Sequence, residues 1–313
     1  MQNQIFNYLK QTEGYISGED ISQQLKISRT AIWKNIEELR KDGYDIVAVP
    51  HLGYKLVSSP DKLFPHEVLH GLQTKIIGKN FIHHDMLTST MDHAFQLGVS
   101  GAVEGTVVCT EGQSKGRGRM ERPWVSPKGK GLYFSLILRP NIFPSEAAKI
   151  TLFSAVAICE AIFKSTGVNV HIKWPNDLLI HNKKCAGILT ELRAETDRVR
   201  FIVIGVGINV NTSMKYLPAT ATSLKHETGK NWSRVVLMQD IFRSIEYWYE
   251  ILNKHGFEPV IQRWRQLSST IGKKVVVGHV KGKAIDLDEH GGLIVQNDSG
   301  EKFRCMTGDV VQV

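Results

Sequence analysis

The 313-residue sequence lacks any long uninterrupted apolar run and any start typical of a secreted protein. Its longest apolar stretch, residues 152–163, is interrupted by Ser154 and Glu160. A membrane-spanning helix needs about 18 or more apolar residues, so we expect no membrane span and no membrane partner. The opening residues MQNQIFNYLK hold no basic region followed by an apolar block, and we therefore expect no signal peptide.

Closely spaced cysteines, internal repeats and low-complexity tracts are also missing. The cysteines form no CxxC pair, which argues against a zinc ribbon or a disulfide framework and predicts a reducing, cytoplasmic setting. The absence of repeats excludes a solenoid. These widely separated cysteines are Cys109, Cys159, Cys185 and Cys305.

The composition is that of a globular protein, with 42% hydrophobic and 22% charged residues. At roughly 100–200 residues per domain, the length predicts two or three domains. The formal net charge of +8 is unevenly placed, because residues 1–60 and residues 270–313 each hold equal numbers of acidic and basic side chains. A protein that only gripped DNA would hold its excess charge on the DNA-binding module. The excess instead predicts a central domain that binds an anion.

The first block, residues 1–64, has the pattern of a winged helix-turn-helix. Ser17 begins a capping box for a short helix, and Ser28 can cap a second helix that ends at Gly43. Two short strands around the turn at His51-Leu52-Gly53 complete the wing. The second helix would enter the major groove. Its predicted DNA-binding residues are Ser28, Arg29, Thr30, Trp33 and Lys34; a protein-interaction module is the alternative.

The second block, residues 65–268, alternates strand and helix patterns and predicts a mixed α/β sandwich. One helix is predicted to begin at Ser145 and end at Gly167, and another to begin at Ser233. The third block, residues 269–313, contains no proline and consists of short strands separated by turns, which predicts a small SH3-like β-barrel. The fold class is therefore α+β and multidomain. The predicted strands of the second block are 106–110, 133–138, 170–174, 186–192 and 201–210.

The segment from Gly112 to Gly131, which we call the flap, holds five glycines, six Lys or Arg and one acid. Glycine lets backbone N–H groups approach an anion, and guanidinium groups bind carboxylate or phosphate in bidentate fashion. The pattern GxxxxGK[ST] is absent, so this is not a Walker A loop. An ordinary solvated basic loop is the alternative to a lid that orders over an anionic ligand.

Three shorter patterns add candidate chemistry, each of them weak alone. The sequence Lys173-Trp174-Pro175-Asn176-Asp177 could orient a substrate at a strand end, and Lys184 could place an ammonium at the mouth of the sheet. The run GVGINV from Gly205 lacks a third glycine and opens no helix, which excludes a dinucleotide-binding turn. The adjacent His83 and His84 would point to opposite faces of a strand, so no metal site is firmly assigned.

Taken in order, GRGR…W, KWPND, KxAGIL and GxGIN resemble the biotin–protein ligases, and the helix-turn-helix in front resembles their bifunctional, operon-repressing class. The resemblance implies two half-reactions. Biotin and ATP form biotinyl-5′-adenylate, and a lysine of a biotin carboxyl carrier protein then attacks this anhydride. It also implies Mg²⁺, operator DNA and an adenylate-bound homodimer. A non-catalytic vitamin-sensing repressor and a lipoate-type ligase remain alternatives.

Matching the motifs position by position implies a site. The catalytic residues are Lys184, Arg119 and Asp177. The nucleotide is bound by Arg119, Arg122, Trp124, Asn176 and Asn209. Biotin is bound by Ser89, Thr90, Gln113, Gly116, Arg117, Arg119, Lys184, Gly187, Gly205 and Gly207. Two departures stand out: Met91 follows the Ser-Thr pair where the family usually has Asn, and Met120-Glu121 replaces a basic or glycine-containing pair.

Overall fold

The computed structural model describes residues 2–312, which divide into two compact units. The first unit ends at Gly71 and the second begins at Leu72. Within the described residues, no helix has the length and apolar character needed to cross a membrane.

The first unit is a helix-turn-helix followed by a β-hairpin. Ser28 Oγ accepts a hydrogen bond from the Ala31 N–H at the start of the second helix of the motif, and Gly43 ends it with φ of 104°. Ser17 caps the preceding helix in the same way, so both predicted caps are confirmed. The elements are α1 (Gln2–Gln11), α2 (Gly18–Leu25), α3 (Arg29–Asp42), β1 (Asp45–Val49), β2 (Gly53–Ser58) and α4 (Pro65–Leu69).

The short helix α4 packs against the helix-turn-helix within this unit. The Tyr44 hydroxyl and His66 Nε2 lie 2.6 Å apart, and the Lys10 ammonium lies 2.7 Å from the buried Glu67 carboxylate. The His66 ring also contacts the Phe6 ring at a centroid distance of 4.7 Å. Burial raises the pKa of the Tyr44 hydroxyl well above its ordinary value, with the Glu67 charge as the next cause.

The centre of the second unit is a mixed sheet. Its strand order is β3-β4-β5-β9-β8-β7-β6, with β3 and β4 parallel and the other pairs antiparallel. Strands β3 and β7 were not predicted, because neither has a clear alternating pattern; the equally short β4 and the shorter β6 were predicted. The strands are β3 (Phe81–His84), β4 (Val107–Thr110), β5 (Leu132–Leu138), β6 (His171–Lys173), β7 (Asp177–Ile180), β8 (Lys183–Ala194) and β9 (Val199–Ile208).

Helices cover this sheet, and α6 packs against both α8 and β8. Ser233 Oγ caps α8 as predicted. The prediction that Ser145 caps α6 is wrong: Ser145 lies within a 3₁₀ turn, and Glu146 precedes the first helical residue without a side-chain cap. The helices are α5 (Thr90–Val99), α6 (Ala147–Thr166), α7 (Leu224–Thr228), α8 (Arg234–His255) and α9 (Glu258–Leu267).

The C-terminal strands form a separate antiparallel sheet within the second unit, in the order β13-β12-β11-β10-β14. Among residues 2–312, the edge strands β13 and β14 are not hydrogen-bonded to each other. The five-stranded sheet is therefore established, and a closed barrel stays a prediction. Its strands are β10 (Lys274–Val277), β11 (Val280–Leu287), β12 (Leu293–Gln296), β13 (Lys302–Cys305) and β14 (Val310–Gln312).

Candidate active site

Glycines on two neighbouring strands form the floor of a cleft in the second unit. In the antiparallel pair of β8 and β9, Gly187 lies opposite Gly207, and Gly205 lies opposite Leu189. A Cβ atom at Gly207 would collide with the Trp124 indole, and one at Gly205 would collide with the Met91 sulfur. Only glycine therefore lets the flap and α5 approach the sheet this closely.

The flap folds back on itself above this floor. The backbone N–H of Trp124 donates to the Gly116 carbonyl at 2.8 Å, and the backbone N–H of Gly118 donates to the Arg122 carbonyl at 2.8 Å. Met120 and Glu121, the pair that departs from the family pattern, both have φ of 54° at the tip. This left-handed conformation is uncommon for residues with a side chain, so the tip stores strain.

Each arginine of the flap has an anionic or carbonyl partner from another part of the unit. Arg117 pairs with Glu191 and, at 2.9 Å, with Asp92; the hydrogen bond that Arg117 donates to the Glu191 carboxylate is the main cause that raises the Arg117 pKa. Arg119 donates to the Asn176 side-chain oxygen at 3.2 Å and to the Gly308 carbonyl at 3.3 Å. The arginines of the flap are thus oriented by internal acceptors.

Lys184 lies where β8 faces the β6–β7 hairpin. Its ammonium is 2.6 Å from the Asp177 carboxylate and 5.4 Å from the centroid of the Trp124 ring. Asn176 is fixed beside this pair, because its side-chain amide donates to the Ile188 carbonyl at 2.7 Å. The hairpin therefore places an amide oxygen and a carboxylate beside an ammonium, at the end of the glycine floor.

A chain of hydrogen bonds lies at the other end of the cleft. Gln113 Oε1 accepts from the Thr90 N–H at 2.9 Å and from the Thr90 hydroxyl at 3.2 Å. Gln113 Nε2 donates to Ser126 Oγ, and Ser135 Oγ donates to Thr90 Oγ1, both at 2.9 Å. Ser89 caps α5 and fixes the start of that helix. These polar groups suit an uncharged ligand with both donors and acceptors.

The cleft brings together most of the residues that the motifs selected. Ser89, Gly116 and Asn209 do not line it: Ser89 caps α5, Gly116 packs beneath Gln113 and Trp124, and the Asn209 amide donates to the Thr222 carbonyl at 3.0 Å. The selected residues that line the cleft are Thr90, Gln113, Arg117, Arg119, Arg122, Trp124, Asn176, Asp177, Lys184, Gly187, Gly205 and Gly207.

One buried polar atom of the cleft lining, the Trp124 indole N–H, has no hydrogen-bond partner among the described residues; the Asn209 side-chain oxygen, outside that lining, also has none. An unsatisfied buried polar group costs about 1–3 kcal/mol. A ligand with polar groups would remove this cost. The cavity volume is about 100 Å³, below the roughly 300–1,000 Å³ of small-molecule sites.

Sequence patterns gave little indication of several residues that contact the flap or the glycine floor. Asp309 lies 2.5 Å from Arg122, Asp92 and Glu191 hold Arg117, and Met91 packs under Gly205. These contacts join segments far apart in sequence. Only the motif departure at Met91 gave any signal, and there the side chain is buried in an apolar cluster.

In the first unit, the predicted DNA-binding residues lie on the exposed side of α3. Arg29, Thr30, Trp33 and Lys34 are exposed, with Trp33 56% accessible, while Ser28 caps the helix. Arg29 also pairs with Glu19 at 2.9 Å, and both side chains are well exposed. Such an exposed ion pair contributes little to stability.

Comparison with known proteins places these features in a family. Residues 84–209 match the Biotin/lipoate A/B protein ligase family, and residues 1–55 match an HTH domain. The chain is 43% identical over 296 residues to the bifunctional ligase/repressor BirA of Bacillus subtilis (strain 168), covering 92% of this chain and 91% of that one. The chain belongs to the bifunctional ligase/repressor family. BirA of Escherichia coli (strain K12) is 31% identical over 290 residues, 90% of this chain and 88% of the relative.

The ligase fold of this family member is also found in a solved structure. The biotin protein ligase from Aquifex aeolicus in complex with biotin and ATP superposes with a TM-score of 0.64 at 28% identity. The match covers 75% of this chain and 99% of that one. The predicted helix-turn-helix and mixed-sheet ligase core are therefore confirmed.

Proposed function

We propose that this protein is an ATP-dependent biotin–protein ligase that biotinylates a carrier-protein lysine and acts as a biotin-responsive repressor. The main structural support is the cleft itself. There Lys184, Arg119 and Arg122 gather around a glycine floor, beside the Trp124 indole N–H, which lacks a partner. Cations suit the phosphates of ATP, and the uncharged Gln113–Thr90 end suits the ring of biotin.

In the first half-reaction, a biotin carboxylate oxygen attacks the α-phosphorus of ATP. The new oxygen–phosphorus bond forms as the bond to pyrophosphate breaks. In the second, the carrier lysine amine attacks the biotinyl carbonyl carbon, and AMP leaves with the electron pair of the broken bond. Lys184 stabilises charge on the carboxylate and α-phosphate, and Arg119 does so from the flap. Asp177 accepts a hydrogen bond from the incoming amine and orients it.

The remaining cleft residues bind and position the substrates. Arg122, Trp124 and Asn176 serve the nucleotide from the cleft lining, where the Trp124 indole N–H lacks a partner. Asn209 is also assigned to the nucleotide, although its side-chain amide donates to the Thr222 carbonyl outside that lining. Gly187, Gly205 and Gly207 border the ligand with their backbones in the part of the floor that Trp124 and Met91 leave open. Biotin is held by Ser89, Thr90, Gln113, Gly116, Arg117, Arg119 and Lys184; Ser89 and Gly116 act by fixing α5 and the flap.

Mg²⁺ would be bound together with the ATP phosphates. Mg²⁺ in such sites keeps several waters and uses one or two carboxylates beside the phosphates. Asp177 and Asp309 are the carboxylates that line the cleft. No group of three or more metal-ligating side chains occurs in residues 2–312. The two carboxylates fit an ion that the nucleotide helps to hold, whose positive charge would offset charge on the phosphates.

The first unit supports the repressor role. The exposed side chains of α3 fit a recognition helix, with Ser28, Arg29, Thr30, Trp33 and Lys34 at the operator. We further propose that the adenylate-bound protein is a homodimer, in which two recognition helices read a palindromic site. We also propose a cytoplasmic location. We propose three functional domains, which span residues 1–64, 65–268 and 269–313. The third domain is proposed to close as an SH3-like barrel.

Biotin-dependent exchange of pyrophosphate into ATP tests the proposed function. With Mg²⁺ present we expect exchange with biotin and none with lipoate, and calorimetry should show the same preference. A chain that binds biotin without exchange is a sensor, and one that prefers lipoate is a lipoate-type ligase; either result contradicts the proposal.

A further inference from the structure

Lys184 lies at an irregular point of β8, where the regular strand pairing gives its backbone little support. In the pairing with β7, Leu179 lies opposite Lys184, whereas the residue before Leu179 lies opposite Ala186. Cys185 is therefore the extra residue of a β-bulge. On the other side, the pairing of β8 with β9 reaches only to Ala186. Bulges interrupt the strand ladder and re-aim side chains. The position of Lys184 therefore depends on support from a further segment.

A loop segment, residues 220–222, takes the place of β9 beside Lys184. The Lys184 backbone N–H donates to the Thr220 carbonyl, and the Thr222 backbone N–H donates to the Lys184 carbonyl, both at 2.9 Å. The Thr222 carbonyl also accepts a hydrogen bond from the Asn209 side-chain amide at 3.0 Å. Thr222 is completely buried. This one residue therefore links the lysine of the cleft to an asparagine that we assign to the nucleotide.

Glu227, on the short helix α7, fixes the side chain of Thr222. The Thr222 hydroxyl donates to Glu227 Oε1 at 2.5 Å, and Glu227 Oε2 lies 2.7 Å from His181 Nδ1, in the turn between β7 and β8. Burial acts to raise the Glu227 pKa, but the hydrogen bonds from Thr222 and His181 outweigh burial and lower that pKa. The carboxylate is therefore ionised near neutral pH, where it is a strong hydrogen-bond acceptor.

We infer that Glu227 is a positioning residue for adenylate formation, which acts through Thr222 on Lys184 and Asn209; this inference rests on the proposed ligase function. Neither Glu227 nor Thr222 lines the cleft, so neither touches the reacting atoms. Their hydrogen bond fixes the loop that holds the Lys184 backbone. A displacement of about 1 Å at a reacting group can lower the rate by about 10²-fold. Glu227 therefore affects turnover from outside the site.

The test compares Glu227→Met with Glu227→Gln in the full chain, by biotin-dependent ATP–pyrophosphate exchange. Methionine has a similar length but accepts no comparable hydrogen bond from Thr222. We expect kcat/KM for ATP to fall about tenfold, with a higher KM for ATP. The KM for biotin should not change, because the biotin ring is assigned to the other end of the cleft. Glutamine keeps an acceptor for the Thr222 hydroxyl and should restore kcat/KM to within about twofold of the wild type.

A double-mutant cycle tests whether Glu227 acts through Thr222. Thr222→Val removes the hydroxyl but keeps the backbone contacts, and it should lower kcat/KM for ATP as Glu227→Met does. The double variant E227M/T222V should then be no worse than either single variant, because both remove the same interaction. Lys225→Ala changes an exposed residue of α7 and should keep wild-type kinetics.

Three results would overturn the inference. They are wild-type exchange kinetics in E227M, additive losses in the double variant, and a lower kcat with both KM values unchanged. The last result would mean only that less of the protein is folded. Absence of exchange in the wild type instead contradicts the proposed function.

Discussion

Arg122 and Asp309 join the flap to the C-terminal sheet, with Arg122 Nη2 and Asp309 Oδ2 only 2.5 Å apart. Asp309 is also 3.9 Å from Arg119, whose guanidinium donates to the neighbouring Gly308 carbonyl. One loop of the C-terminal sheet therefore orients both arginines that we assign to the nucleotide. This gives the C-terminal sheet a direct role in shaping the candidate site.

Asp309→Asn should raise the KM for ATP. The amide cannot hold two guanidinium groups as a carboxylate does, so the arginines must be ordered when the nucleotide binds. Exposed ion pairs contribute about 0–1 kcal/mol, which limits the increase to about fivefold. Steady-state exchange kinetics with ATP and biotin varied separately measure it, and the KM for biotin should not change. A lower KM for ATP would show that Asp309 competes with phosphate.

Lys184→Met should lower the rate of adenylate formation by about 10²–10³-fold, the usual cost of removing one electrostatic group from a reaction centre. The side chain lies 2.6 Å from Asp177 and faces Trp124, so its loss also leaves a carboxylate without its cation. Single-turnover formation of the adenylate measures the effect. Lys183→Met changes the adjacent, exposed lysine of β8 and is the control. Equal rates for the two variants would contradict the role.

Gly207→Ala should displace the Trp124 ring, because the new methyl group would overlap the indole. We expect weaker ATP binding and a shift in tryptophan fluorescence, while the fold stays intact. Gly14→Ala is a suitable control, since a Cβ there meets nothing within 4 Å. Calorimetry with ATP provides the measurement. An unchanged affinity for ATP would show that nucleotide binding tolerates a side chain at position 207.

The sequence was most informative where structure is decided locally. Ser17, Ser28 and Ser233 cap helices as predicted, since a cap depends on hydrogen bonds within three residues. Ser145 shows the limit of such a rule, because Pro144–Glu146 forms a 3₁₀ turn before the helix begins. Long strands such as β5 and β9 were found, and so were the short β4 and β6, whereas β3 and β7, which lack a clear alternating pattern, were not.

The motifs identified most of the residues that line the cleft, but their partners could not be predicted. The pairing of Arg122 with Asp309, or of Arg117 with Glu191, depends on how distant segments pack. No periodicity or spacing encodes such a contact. The same holds for Asn209, whose motif is evident but whose side chain is held by Thr222 away from the cleft lining.

Arg234→Met should destabilise the second unit by about 3–5 kcal/mol, because removing one member of a buried ion pair leaves the other charge uncompensated. Arg234, 1% exposed, lies 2.8 Å from the buried Glu111 carboxylate and 3.3 Å from the Gly131 carbonyl. Arg234 thereby links Glu111, the residue before the flap, to Gly131, the last residue of the flap. Urea unfolding followed by circular dichroism measures the loss. The double variant E111Q/R234M should recover part of it, and a double variant less stable than R234M would contradict this account.

Because the first compact unit ends at Gly71, the position of a deletion should decide whether the ligase core remains stable without the DNA-binding unit. Deleting residues 1–64 and deleting residues 1–71 should both abolish operator binding, because both remove α3. They should differ in stability. The shorter deletion retains α4 but removes Phe6, Tyr44 and Lys10, which contact His66 and Glu67 within the first unit. Its apolar residues, such as Val68, would then lose that packing.

We therefore expect the 1–71 deletion to keep biotin-dependent exchange and to unfold at a higher temperature than the 1–64 deletion. The shorter deletion should bind more of a dye that detects exposed apolar surface. Calorimetric melting and dye fluorescence of the two purified chains provide the comparison, with exchange activity as a measure of the ligase core. If the two chains unfold at the same temperature and bind the same amount of dye, the packing of α4 does not depend on the helix-turn-helix. The functional boundary at residue 64 would then be supported.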